Sequence, residues 1–140
     1  MTKTNFTELD VEGHDGSAAG LKLADTLVTA LAGELNLNDQ ALQAMTTNGA
    51  ISIKNGVVTL ATGTIGATLA DPTATTDDYK RLAIMSLVAA QHTVTSASSF
   101  GSGGSGEDVA TFSGIVGDTL SLMAYQGHWY VTGAHQVTVA

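Results

Sequence analysis

The chain has 140 residues and a formal net charge of −8, with 44% hydrophobic but only 13% charged residues. That length holds one compact domain plus an arm, and the scarcity of cations excludes the clustered phosphate contacts of nucleic-acid binding. With no cysteine, disulfide scaffolds, thiolate metal sites and cysteine nucleophiles are excluded together.

Residues 1–16 are polar and acidic, carrying Glu8, Asp10, Glu12 and Asp15. They read as an extended arm, the opposite of a signal peptide, and no apolar run approaches the roughly 20 residues of a membrane span. A soluble product made in the cytoplasm is expected. Phe6, Leu9 and Val11 give the arm a few apolar anchors, and as a strand it could add to a neighbour's open sheet edge. Leu21, Ala24, Leu27, Val28 and Leu31 follow the spacing of one helix face, with Asp15 or Ser17 as cap and Gly33 as stop. Leu21, Leu27, Val28 and Leu31 on that face predict an oligomer interface. A second helical turn is expected over residues 39–45.

Near residue 48 the pattern changes to short β runs separated by turn residues, which divides the chain into an arm-plus-helix segment, 1–47, and a β domain, 48–140. Residues 51–54, then Asn55-Gly56, then residues 57–60 read as a hairpin, because Asn-Gly accepts the positive φ of a tight turn. Further strands are expected at 67–69, 81–87, 92–95, 109–112, 119–124, 129–132 and 136–139. Leu120, Leu122 and Ala124 alternate with Thr119, Ser121 and Met123, and Tyr125-Gln126-Gly127-His128 forms a second tight turn. Strands this short and this closely spaced predict a mainly β protein, a small antiparallel β-sandwich or β-barrel. No internal repeat is visible.

The candidate chemistry is sparse. Gly101 to Gly106 matches G-x-G-x-x-G as a string, but Glu107, Asp108 and a strand follow where a dinucleotide site needs a helix; a flexible loop is the better reading. His14, His92, His128 and His135 lack metal-ligand spacing, and His128 and His135 fall on different expected strands. Asp71, Asp77, Asp78, Glu107 and Asp108 read as surface acidic turns rather than a calcium loop. No serine stands on a strand-to-helix elbow, so a Ser-His-Asp constellation has no local support. Neither a catalytic residue nor a metal or cofactor site is expected. Trp129 and Tyr130 must face opposite sides of one strand, Trp129 inward and Tyr130 outward, where a carbohydrate contact would lack a second ring.

The runs Thr68-Leu-Ala-Asp-Pro-Thr-Ala74, Asp77-Asp-Tyr-Lys-Arg-Leu82, His92-Thr-Val-Thr95, Val109-Ala-Thr-Phe112, Gly117-Asp118 with Leu120-Ser-Leu122, and Gly127-His-Trp-Tyr-Val131 resemble tailed-bacteriophage structural proteins. Val28-Thr-Ala-Leu-Ala-Gly-Glu-Leu-Asn36 is similar to a stretch common in phage head and tail proteins, although Leu37-Asn38-Asp39 replaces the usual Leu-Asp-Gly. The resemblance spans about two thirds of the chain, through turn and strand patterns rather than a chemical signature. It implies the head decoration (capsid cement) family: a non-enzymatic virion protein on the outside of the capsid, bound to the major capsid protein, as a homotrimer. Phe6, Leu9 and Val11 would then be the capsid-binding anchors. The alternative is a tail-fibre or baseplate module that binds a host receptor or carbohydrate. No nucleic-acid or membrane partner is expected.

Overall fold

The structure, a computed structural model, describes residues 22–23, 26–27, 40–98, 100–101 and 107–140. The chain divides into two units, Met1–Asn38 and Asp39–Ala140. In the first, β1 (Lys22–Leu23) pairs antiparallel with β2 (Thr26–Leu27). The helix expected there is therefore not formed at Lys22, Leu23, Thr26 and Leu27; Leu21, Val28 and Leu31 lie outside the described residues, as do Phe6, Leu9 and Val11.

The second unit is built from β3 (Ala41–Met45), β4 (Gly49–Ile51), β5 (Gly56–Leu60), β6 (Gly66–Leu69), β7 (Arg81–Ser86), β8 (Thr93–Ser96), β9 (Val109–Phe112), β10 (Thr119–Tyr125), β11 (His128–His135) and β12 (Val137–Val139). They form two five-stranded sheets, ordered β11-β10-β7-β5-β3 and β12-β9-β8-β6-β4. The expected helical turn at 39–45 is instead the edge strand β3, and with it the β unit reaches back to Asp39 rather than starting at 48. Among the described residues there is no helix.

Both sheets are mixed rather than antiparallel. The strands β3, β5 and β7 stack parallel in the first sheet, and β4, β6 and β8 stack parallel in the second. From β3 to β8 the chain alternates between sheets, so β3–β4, β5–β6 and β7–β8 are three successive coils of one winding. The strands β9 to β12 close the winding with antiparallel pairs. Asn55-Gly56 is consequently not a hairpin turn, because β4 and β5 belong to different sheets. The dipeptide instead lets the chain cross from one sheet to the other: Gly56 has φ +127°, and a Cβ there would overlap the backbone of Ala41 on the adjoining strand.

One core lies between the sheets. Met45, Val58, Leu60, Leu82, Ile84, Leu120, Leu122 and Ala124 reach it from the first sheet, and Ile51, Ala67, Leu69, Val94, Ala110 and Phe112 from the second. The period-2 alternation supplies these residues, so the inward register is fixed by burial of every second side chain. Leu120, Leu122 and Ala124 point inward as the sequence predicts, with Thr119, Ser121 and Met123 outward. The β10–β11 connection is the expected two-residue turn, with Gln126 at φ +50° and Gly127 at φ +81°. Trp129 is fully buried, its indole N–H donating to the Ala70 carbonyl at 3.0 Å, and Tyr130 faces outward.

Candidate functional site

The strands β7 and β10 run antiparallel, so the loops that follow β7 and precede β10 meet at one end of the β unit. Gly117 N–H donates to the Ser86 carbonyl and Ser86 N–H to the Asp118 carbonyl, both at 2.9 Å, which extends the ladder into those loops. Here Leu87, Ile115 and Val116 are 47%, 56% and 60% exposed, three aliphatic side chains on neighbouring backbone.

Two buried polar residues hold that end rigid. The Asp118 carboxylate accepts from the Ser113 hydroxyl at 2.9 Å, Gly114 N–H at 3.0 Å and Ile115 N–H at 3.1 Å. Burial alone would raise its pKa, but these donors win and hold it below the usual carboxylate value. His92 accepts at Nδ1 from Ile65 N–H at 3.1 Å, which leaves the proton on Nε2 to be donated to the Ser86 hydroxyl at 3.0 Å. The Ser86 hydroxyl in turn donates to the Val88 carbonyl at 2.7 Å. Burial pushes the His92 pKa down, with the Asp118 charge opposing that shift in part. Ser86, His92 and Asp118 thus come together, which no sequence spacing signalled. They do not form a nucleophile relay: the serine proton points to a backbone carbonyl, and the histidine nitrogen that a triad would aim at Asp118 accepts from a backbone amide.

At the opposite end, the 70–80 loop meets the β10–β11 turn. Asp77 is buried, contrary to its reading as a surface turn residue. Its carboxylate receives Lys54 Nζ at 2.6 Å, Lys80 Nζ at 2.7 Å and Thr73 N–H at 2.7 Å. Burial works against ionisation, but the two ammonium groups and the amide hold the carboxyl far below its usual range. Lys54 comes from the β4–β5 crossover, so the ion pairs bind the 70–80 loop to the neighbouring coil. Tyr79 N–H donates to the Ala124 carbonyl at 2.8 Å, and Ala124 N–H to the Lys80 carbonyl at 2.9 Å. This places Tyr79, Tyr125 and Tyr130 in a row, with ring centroids 5.7 and 6.4 Å apart. The outward Tyr130 therefore does have an aromatic neighbour, Tyr125 at the end of the paired strand β10, and Tyr125 in turn meets Tyr79 from the 70–80 loop.

The other candidates separate. Asp71 accepts from the Ser98 amide and hydroxyl, and Asp78 accepts from the Gln126 backbone and side-chain amides. His128 and His135 stand at the two ends of one strand, β11, rather than on two strands. Among the described residues no group of three or more His, Asp or Glu is placed to hold a metal ion. A strand, β9, follows the Gly/Ser stretch, and residues 102–106 lie outside the described ones. No protein-family model matches the chain, and no curated protein gives a significant match.

Proposed function

We propose that this chain is a phage virion structural protein, a capsid decoration protein that docks on the outside of the head and bridges major capsid subunits. The observation that carries the reading is the pinned aliphatic end, Leu87, Ile115 and Val116. Exposed aliphatic side chains gain nothing from water, and rigid loops that hold them in one arrangement leave little entropy to lose on docking. Such a preorganised apolar knob is what a hot spot in a protein interface needs. A surface poor in formal charge suits a protein packed among neighbours, and the run of phage-like motifs names the kind of neighbour.

Association as a homotrimer belongs to the same proposal. It is supported by β11, whose residues from Val131 to His135 are all exposed although they sit in a strand at a sheet edge. Strand edges of this kind pair with other chains unless something covers them. The arm residues Phe6, Leu9 and Val11 would add further anchors on the capsid.

The test is co-sedimentation of the full chain with undecorated heads, with sedimentation velocity of the free protein beside it. The Ile115→Asp, Val116→Asp double variant should keep its melting midpoint and lose head binding by roughly 100-fold or more, as expected for a buried hot-spot cluster. Undiminished binding of that variant would overturn the docking role. A copy number of a few per virion, rather than hundreds, would move the protein to the tail fibre or baseplate.

A further inference from the structure

We propose that Tyr79, Tyr125 and Tyr130, with Asp78 and Gln126, form a binding site for a neutral polysaccharide segment. The site lies at the end of the β unit away from the aliphatic knob and is a second function, separate from docking.

The first ground is the rings themselves. Tyr79 is 70% exposed and Tyr125 39% exposed, and the three rings follow one another at 5.7 and 6.4 Å with interplanar angles of 43° and 56°. A pyranose ring has one face of C–H groups that packs on an aromatic ring, and hydroxyls around its rim. Successive tilted rings at these spacings suit successive sugar units of a twisted chain. Two χ angles per tyrosine mean that little rotamer freedom is lost on binding.

The second ground is that the backbone is strained to present them. Among the described residues four non-glycine residues have positive φ, and three of these are here: Thr75 (67°), Tyr79 (67°) and Gln126 (50°). A bulky aromatic residue in the left-handed region is uncommon, and such conformations persist only where the surroundings over-determine them. The surroundings are the Asp77 node with Lys54 and Lys80, and the hydrogen bond from Tyr79 N–H to the Ala124 carbonyl. A loop tied this firmly around an exposed ring serves the ring, because no core contact requires Tyr79 to be there.

The third ground is the polar rim. Asp78 Oδ1 receives Gln126 N–H at 2.8 Å and Oδ2 receives its side-chain amide at 3.3 Å. That arrangement fixes both side chains beside the rings and leaves the Gln126 Oε1 and the remaining carboxylate lone pairs to accept from hydroxyl groups. Aromatic faces edged by oriented acceptors fit a ligand that carries C–H faces and hydroxyls together. The net charge of −8 and the Asp78 carboxylate select against acidic polysaccharides. Aromatic grooves also seat proline-rich peptides, and a peptide probe separates that occupant from a glycan.

The test uses the full chain and saturation-transfer NMR against maltopentaose, cellopentaose, chitopentaose and dextran, with polygalacturonate and a proline-rich peptide as contrasting probes. At least one neutral glycan should receive saturation from the tyrosine ring protons and bind saturably. Tyr79→Asn, which tolerates the left-handed backbone, and Tyr125→Ser should each weaken binding about tenfold, and Tyr79→Phe should retain most of it. Wild-type protein that binds none of the neutral glycans, or binds only polygalacturonate or the peptide, would overturn the proposal. So would neutral-glycan binding that transfers no saturation from tyrosine, a readout that holds even if a variant misfolds.

Discussion

Gly56 stands where two strands come together more closely than any side chain permits. Its φ of +127° and the overlap of a Cβ with the Ala41 backbone mean that alanine must push β3 away from β5 as well as strain its own backbone. Gly56→Ala should lower unfolding stability by roughly 2–4 kcal/mol, measured as a shift of the urea midpoint. Gly63→Ala makes the control, because nothing lies within 4 Å of a Cβ there. At the same scale, Asp77 shows how a residue type can mislead. Aspartate in a turn reads as a solvated cap, yet this one is buried with two lysines that sequence separates by 26 positions from each other, from 54 to 80. Neither lysine announces the pairing.

At the scale of elements, the loops around β7, β8 and β10 depend on two side chains whose protonation is fixed by their partners. His92 is neutral in the fold, since a proton on Nδ1 would face the Ile65 N–H that now donates to it. Its folded pKa is lowered, so the unfolded chain binds the extra proton first as pH falls. Stability is then fully present above the ordinary histidine value of roughly 6.5 and declines as pH drops through it. Asp118, also lowered, contributes stability above the ordinary aspartate value of roughly 3.9 and loses it below. The melting midpoint should therefore fall in two stages, the first setting in below about pH 6.5 and the second below about pH 4. His92→Gln should flatten the first stage; a wild-type midpoint unchanged between pH 7 and 5 would contradict the neutral assignment. Element boundaries themselves were largely readable, from β5 to β12, because turn residues interrupt each apolar run. Which element pairs with which was not. The segment 51–60 has every local mark of a hairpin, and a hairpin would have put Ile51 and Val58 in one sheet.

For the molecule as a whole, the β unit from Asp39 to Ala140 carries its own core, and among the described residues every member of that core lies at or beyond Met45. Deleting residues 1–38 should leave its melting midpoint within a few degrees, while head binding weakens if the arm supplies anchors as proposed. Calorimetry of the truncated and full chains checks the first statement, and the co-sedimentation assay checks the second. A collapse of the transition on truncation would show that residues 1–38 complete the core.

The sequence by itself determined the β character, the alternation that divides inward from outward residues, the β10–β11 turn, and the opposite facings of Trp129 and Tyr130. These are local consequences of period-2 patterning and turn chemistry, and a few neighbouring residues suffice to set them. Only the tertiary structure decided the three-coil winding, the parallel stacking of β3, β5 and β7, and the gathering of exposed aliphatic and tyrosine side chains at opposite ends of the β unit. Pairing between sheets is chosen by which apolar faces can be buried together, a property of the whole chain. The loops between coils differ in length, 52–55 against 70–80, so the winding leaves no sequence period. The knob joins two loops, the tyrosine row joins the 70–80 loop to the strands β10 and β11, and proximity of that kind exists only once the strands have paired.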